Sequence, residues 1–139
     1  MPKTTVAAII LQKKKKDSKI LLARRNINPF KNLWCLPGGH IDKFELARDA
    51  IQREVKEEVG VNFDGIFFKY FDEIIPSDGI HAVVLAFIGL AQGEIVKETP
   101  EVSEIKWFAI SEIKKLKLAF QHAEILDDYI KNIDVLDLF

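Results

Sequence analysis

Three glutamates, Glu54, Glu57 and Glu58, follow Arg53 in the segment Arg53-Glu54-Val55-Lys56-Glu57-Glu58. On an α-helix each residue turns the side-chain direction by about 100°, so the three carboxylates share an arc of about 100°. Like charges this close repel, and at least one would hold its proton more tightly than usual. A hard divalent cation relieves that repulsion. Mg²⁺ prefers oxygen ligands, takes few carboxylates and keeps room for water and phosphate oxygens. Upstream, Pro37-Gly38-Gly39 makes a turn whose glycines let backbone approach closely and offer a carbonyl as a further ligand. These residue types and spacings point to a phosphate-bearing substrate held through metal. The plainer alternative is a solvated glutamate-rich face, and the helix alone does not separate the two.

The carboxylates need an element to present them. Residues 45–59 have helical spacing, with Gly60 as the expected C-cap. Ile51, Val55 and Val59 form an i, i+4 stripe suited to packing on a sheet, while Asp49, Gln52 and Lys56 point to water. Ala47 and Ala50 share the carboxylate face and, being small, are expected to leave room over it. Residues 5–11 and 20–23 read as a hairpin. Its tip, Lys13 to Lys16, is either a solvated end that blunts edge pairing or a nucleic-acid patch; the first is preferred. Asn28-Pro29 marks a loop. Residues 63–75 read as one or two strands, 76–79 as a turn, 81–90 as a long buried strand and 105–110 as the last strand. Ser111 is expected to cap a helix, and residues 118–130 have helical spacing. Strands in the majority, with one central and one terminal helix, give an α+β chain with a mixed sheet between helices.

The chain has 139 residues and a mass of 15.9 kDa, which predicts one domain over residues 1–139. A hydrophobic fraction of 48% supplies a core, and 29% charged residues argue against long disorder. A net charge of −1 excludes a strongly basic nucleic-acid binder, so no nucleic-acid partner is expected. The lone Cys35 excludes an internal disulfide and fits a reducing compartment. The apolar run 6–11 is too short for a signal-peptide core, and the run 82–91 is about half a membrane span. A soluble, cytoplasmic chain without a membrane partner is expected. A homodimer is compatible with this sequence, which marks no interface for it.

Residues 39–61 fix seven identities, Gly39, Glu45, Arg53, Glu54, Glu57, Glu58 and Gly60, and two apolar positions, Val55 and Val61. A chance match at one position is of order one in 10⁹ at background residue frequencies. The segment resembles the Nudix box, G-x5-E-x7-R-E-U-x-E-E-x-G-U with U apolar, at every specified position. The resemblance implies an α/β/α sandwich with a mixed β-sheet. It also implies Mg²⁺-dependent hydrolysis, with Mn²⁺ as a substitute, of a nucleoside diphosphate linked to another group X. Glu54, Glu57 and Glu58 would then hold metal with the Gly38 carbonyl, and Glu54 would position or deprotonate the attacking water. Arg53 would orient the catalytic glutamate, with Glu45 as its ion-pair partner. Arg25 and Arg24 stand where some members contact phosphate; the alternative for both is a solvated strand end. Gly39 and His40 lie in the box loop near the expected phosphates, although a solvated His40 is an equal reading. A further carboxylate from outside the box is implied, with Glu98, Glu101 and Glu104 as candidates and Glu101 preferred. Phe44, Leu46 and Asp42 depart from residues common in the family at unspecified positions.

Pro76 stands 15 residues beyond the box, a placement that resembles the Nudix ADP-ribose pyrophosphatases, as do Gln121, His122 and Glu124 near the C-terminal end. ADP-ribose or a related nucleotide sugar is therefore the expected small-molecule substrate. The alternatives are a pyrophosphohydrolase of normal or oxidised nucleoside triphosphates and, in another class, a non-catalytic nucleotide-binding module. Trp34, Phe68, Tyr70 and Phe71 are expected in the core in preference to stacking on a base. His81 is expected to be structural, His122 exposed on its helix, and Cys35 packed and not nucleophilic.

Overall fold

The computed structural model describes residues 1–12, 18–97 and 99–133. The expected hairpin tip at Lys13 to Lys16 and the candidate Glu98 lie outside these residues. Strand β1 (Lys3–Leu11) is apolar at consecutive positions because both of its faces are covered. Val6, Ala8 and Ile10 pack with Ile51, Val55 and Val59 on one side. Ala7, Ile9 and Leu11 pack with Ile113, Ile125 and Leu126 on the other. Helix α1 (Ala47–Val59) thus covers one face of the sheet, and α2 (Ile110–Ile113) with α3 (His122–Lys131) covers the other. This is the expected α/β/α sandwich.

The sheet is mixed. Strand β6 (Ile80–Gln92) runs parallel to β1, and β5 (Asn62–Ile75) pairs antiparallel with β6 at one edge. Strand β2 (Ile20–Arg25) pairs antiparallel with β7 (Val102–Phe108). β1 and β2 pair at Leu11 and Ile20. Farther along, β3 (Trp34–Cys35) takes the edge of β2, and β4 (Gly38–His40) takes that of β1. The chain from Trp34 to His40 therefore crosses a fork between the two strands, with the Ala8 N–H donating to the Pro37 carbonyl at 2.8 Å on the way.

Several elements differ from expectation. α1 begins at Ala47, with Leu46 as N-cap, so Glu45 precedes the helix. Its end is as expected: Gly60 is left-handed at φ 76, a conformation that costs glycine little, and its N–H donates to the Lys56 carbonyl. Ala50 is fully buried with Ile51 and Val55, so it packs under the helix and does not line the carboxylate face. β5 is one strand, with a bulge between Phe67 and Lys69. Ser111 lies inside α2. The cap position is Ala109, whose N–H donates to Glu112 Oε1 at 2.8 Å, so a carboxylate reaching back ties the helix start in place of a capping hydroxyl on Ser111. Residues 118–121 are not helical because their backbone is committed to Trp34: the Ala119 N–H donates to its carbonyl at 2.8 Å, and Leu118 bridges to it. Trp34, Phe68 and Phe71 pack against the core as expected, but Tyr70 is exposed. Among the described residues no helix is long and apolar enough to cross a membrane.

Candidate active site

α1 presents Arg53, Glu54, Glu57 and Glu58 beside the Gly38–His40 strand. Arg53 is the hub. Its Nε and Nη2 donate to the two oxygens of Glu45 at 2.9 and 3.1 Å, a bidentate pair. Nη1 donates to Glu54 Oε1 at 3.0 Å and to Glu57 Oε2 at 3.2 Å. Nη2 also donates to the His40 carbonyl at 3.0 Å, and Asp42 stands 3.4 Å from Nε. One guanidinium thereby ties the loop before α1, the end of β4 and two of the three glutamates together. Its bond to Glu45 holds the Glu45 carboxyl below the usual range, and the same bond raises Arg53 further above its own. Arg53 stays charged at any working pH.

Glu58 lies deeper. Its Oε2 accepts the Gly38 N–H at 3.1 Å. Burial first, then the charges of Glu54 and Glu101, push its carboxyl up to about 8, against the pull of the Gly38 N–H and Arg25. Glu54 is also raised, first by burial and then by Glu57 and Asp42, with Arg53 opposing. Glu57 is more exposed and leans on Arg53. Glu101, in the bend before β7, is exposed, and its carbonyl accepts the Asn26 N–H at 2.8 Å.

The glycines are required by space. A Cβ on Gly39 would lie 2.6 Å from the Glu54 carboxylate, and one on Gly38 would lie 2.0 Å from the Val6 carbonyl. The backbone therefore sits directly against the acidic cluster. Among the described residues, no three His, Cys, Asp or Glu side chains form a ready cation cage. The donor set nevertheless suits a hard divalent cation. Two carboxyls raised first by burial, with Glu54 adding to the rise of Glu58, and set against glycine backbone are oxygen donors that a cation would return to the ionised form.

The arginines before the fork are engaged with protein. Arg24 Nε donates to the Asn32 carbonyl at 3.0 Å, and its guanidinium stands 3.9 Å from Glu104. Arg25 Nε donates to the Pro29 carbonyl at 2.7 Å, and the guanidinium lies 4.7 Å over the Phe120 ring. Phe120 in turn meets Phe30 edge to face at 5.0 Å. The reading of the sequence missed this aromatic and arginine cluster, because Arg25 and Phe120 come together only through the fold. His40 is exposed. His122 is the clear correction. It is buried, not exposed, and its Nδ1 accepts the Leu36 N–H at 3.0 Å. Burial, aided by Arg25, lowers it to about 4, so the imidazole is neutral. Cys35 is buried, which pushes its thiol up to about 12 and leaves it no thiolate at neutral pH.

A family model described as the NUDIX domain matches residues 1–129. The chain belongs to that family. This Nudix hydrolase is 34% identical over 118 residues to an ADP-ribose pyrophosphatase of Methanocaldococcus jannaschii, across 84% of this chain and 68% of that one. It is 30% identical over 125 residues to the uncharacterised Nudix hydrolase YvcI of Bacillus subtilis, across 86% and 77%. Its fold matches the Nudix domain of Shewanella oneidensis NrtR, solved with ADP-ribose, at a TM-score of 0.84 and 23% identity over 96% of this chain and 89% of that one. Family and relatives together make the chain a pyrophosphohydrolase.

Proposed function

We propose that this pyrophosphohydrolase cleaves the diphosphate of ADP-ribose or a related nucleotide sugar, with Mg²⁺ or Mn²⁺ held by Glu54, Glu57, Glu58 and the Gly38 carbonyl. The observation that carries this reading is the cluster of raised carboxyls pressed against glycine backbone and tied by one arginine. The M. jannaschii relative, an ADP-ribose pyrophosphatase, favours the substrate. The bound cation would supply charge neutralisation at the diphosphate and a water of lowered pKa. The chain's own residues do the rest. Arg53 fixes the direction of Glu54 by bonding Oε1, which leaves Oε2 to accept a proton from the attacking water. Glu45 keeps Arg53 from swinging away. Gly39, having no side chain, lets the Glu54 carboxylate lie against the backbone. Glu101 acts as the further carboxylate from outside the box, and the positive charge of Arg25 is felt at Glu58. Positioning and charge account for the catalysis, as in other phosphoryl transfers.

The test is a substrate panel with Mg²⁺, Mn²⁺ or chelator: ADP-ribose, other nucleotide sugars, dinucleoside polyphosphates, and normal and oxidised nucleoside triphosphates. The expected result is the highest kcat/KM for ADP-ribose or another nucleotide sugar, lost in chelator and in Glu57→Gln. Preference for a nucleoside triphosphate would refute the substrate, and an active Glu57→Gln protein would refute the metal assignment.

A further inference from the structure

α3 reaches the Gly38 turn through one side chain. His122, the first residue of α3, is 8% exposed, and its Nδ1 accepts the Leu36 N–H. Accepting at Nδ1 fixes the neutral tautomer with its proton on Nε2. Pro37 follows, with its carbonyl taking the Ala8 N–H, and then Gly38, with its N–H on Glu58. Three successive residues are thus pinned to three different elements, Leu36 to α3, Pro37 to β1 and Gly38 to α1. β3 ends at Cys35 and β4 begins at Gly38, so Leu36 lies between the two ladders. A buried N–H left without an acceptor is strongly disfavoured, and the chain at Leu36 would shift to reach one. α3 is itself a fixed post. The Gln121 side chain bonds both the N–H and the carbonyl of Ile74, the Gln121 N–H donates to Glu73, and Lys69 pairs with Asp128 at 2.9 Å.

We propose that His122 is a positioning residue for the pyrophosphohydrolase reaction, holding residues 36–38 through the Leu36 amide so that Gly38 meets Glu58. This rests on the reading of Gly38 and Glu58 as metal-holding groups. The role needs an acceptor at the δ position and nothing from Nε2.

Three variants separate the possibilities. In His122→Asn, Oδ1 stands where Nδ1 stood. His122→Gln carries its acceptor one bond farther out. His122→Phe fills the space with no acceptor. Each is measured with the best substrate of the panel for kcat, KM and the Mg²⁺ concentration for half-activation. Amide hydrogen exchange at Leu36 and Gly38 is measured without metal. The Phe variant should lose about 10–100-fold in kcat and need more Mg²⁺, with substrate KM within about 3-fold. Exchange at both amides should accelerate at least about 10-fold. The Asn variant should restore all of these to within about 3-fold of the parent. A folded Phe variant with parental kcat and parental exchange overturns the proposal. So does an Asn variant as impaired as Phe, or rescue by Gln in place of Asn, which would move the role to Nε2. If the Phe variant does not fold, the Asn and Gln proteins decide by the same criteria. If the parent splits no substrate in the panel, the metal reading fails, and the exchange rates still judge His122.

Discussion

Acid should destabilise this protein through one imidazole. His122 takes a proton below about 6.5 in the unfolded chain but only below about 4 when folded, because burial and Arg25 oppose the charge. Protonation would also turn Nδ1 into a donor facing the Leu36 donor. Between those two limits the unfolded state binds more protons, so stability present above pH 6.5 is lost as pH falls toward 4. Linkage over this window gives a loss of about 2 kcal/mol at about pH 5, approaching about 3 kcal/mol below pH 4. The His122→Asn protein keeps the acceptor and cannot titrate. Urea unfolding of both proteins at about pH 7.5 and about pH 5 isolates the contribution, because the carboxylates they share cancel in the difference. With a slope of about 1–3 kcal/mol per molar urea, the parent midpoint should fall about 1 M more than that of the variant. Equal losses in the two proteins would refute the claim that a neutral, buried His122 supports the fold.

Gly39→Ala should fold, since the clash falls on the end of a flexible glutamate, but displacing Glu54 should cut kcat about 100-fold; circular dichroism and single-turnover rates check this. Glu45→Gln removes a charge from the bidentate pair with Arg53 and should lower kcat about 10–100-fold while lowering Tm by a few degrees. A variant with unchanged kcat would break the link from Glu45 to Glu54. Glu58 is raised to about 8, so the folded state holds its proton where the unfolded chain has released it, and stability falls as pH rises from about 4.5 through 8. Glu58→Gln should therefore be more stable than the parent above pH 8 in chelator, by at least about 1 kcal/mol in urea unfolding, and inactive with metal.

α1 and its acidic face are legible in the sequence because their signals are local: the Ile51, Val55, Val59 stripe, the glycine after the last turn and the spacing of the glutamates. β1 is legible for a similar reason, since uninterrupted apolar residues mean cover on both faces. The contacts that complete the candidate site are not legible. Leu36 with His122, Arg25 with Phe120 and Gly38 with Glu58 are brought together by strand pairing, which no periodicity encodes. On a helical wheel His122 shares the face of Ile125, Leu126 and Tyr129, and only its polar type suggests exposure. What that spacing does not mark is its partner, the Leu36 N–H. Ala50 is buried against expectation as well. It shares a side of the helix with Glu54, yet it is also adjacent to Ile51, and the packing on β1 claims it. Glu101 gives no local signal beyond its charge, and its effect on Glu58 singles it out among the described acids near that loop.

The fork between β1 and β2 makes the sheet two leaves sewn along a short seam. The acidic helix presents its glutamates beside β4 on one leaf, and Arg25 ends β2 on the other. A ligand gripped from both sides becomes an extra stitch across that seam. Its binding energy is then returned as resistance to heat, about 2.7 kcal/mol when ligand is present at a hundredfold its Kd. Melting curves with and without nucleotide therefore report binding at the site, even where no bond is cleaved.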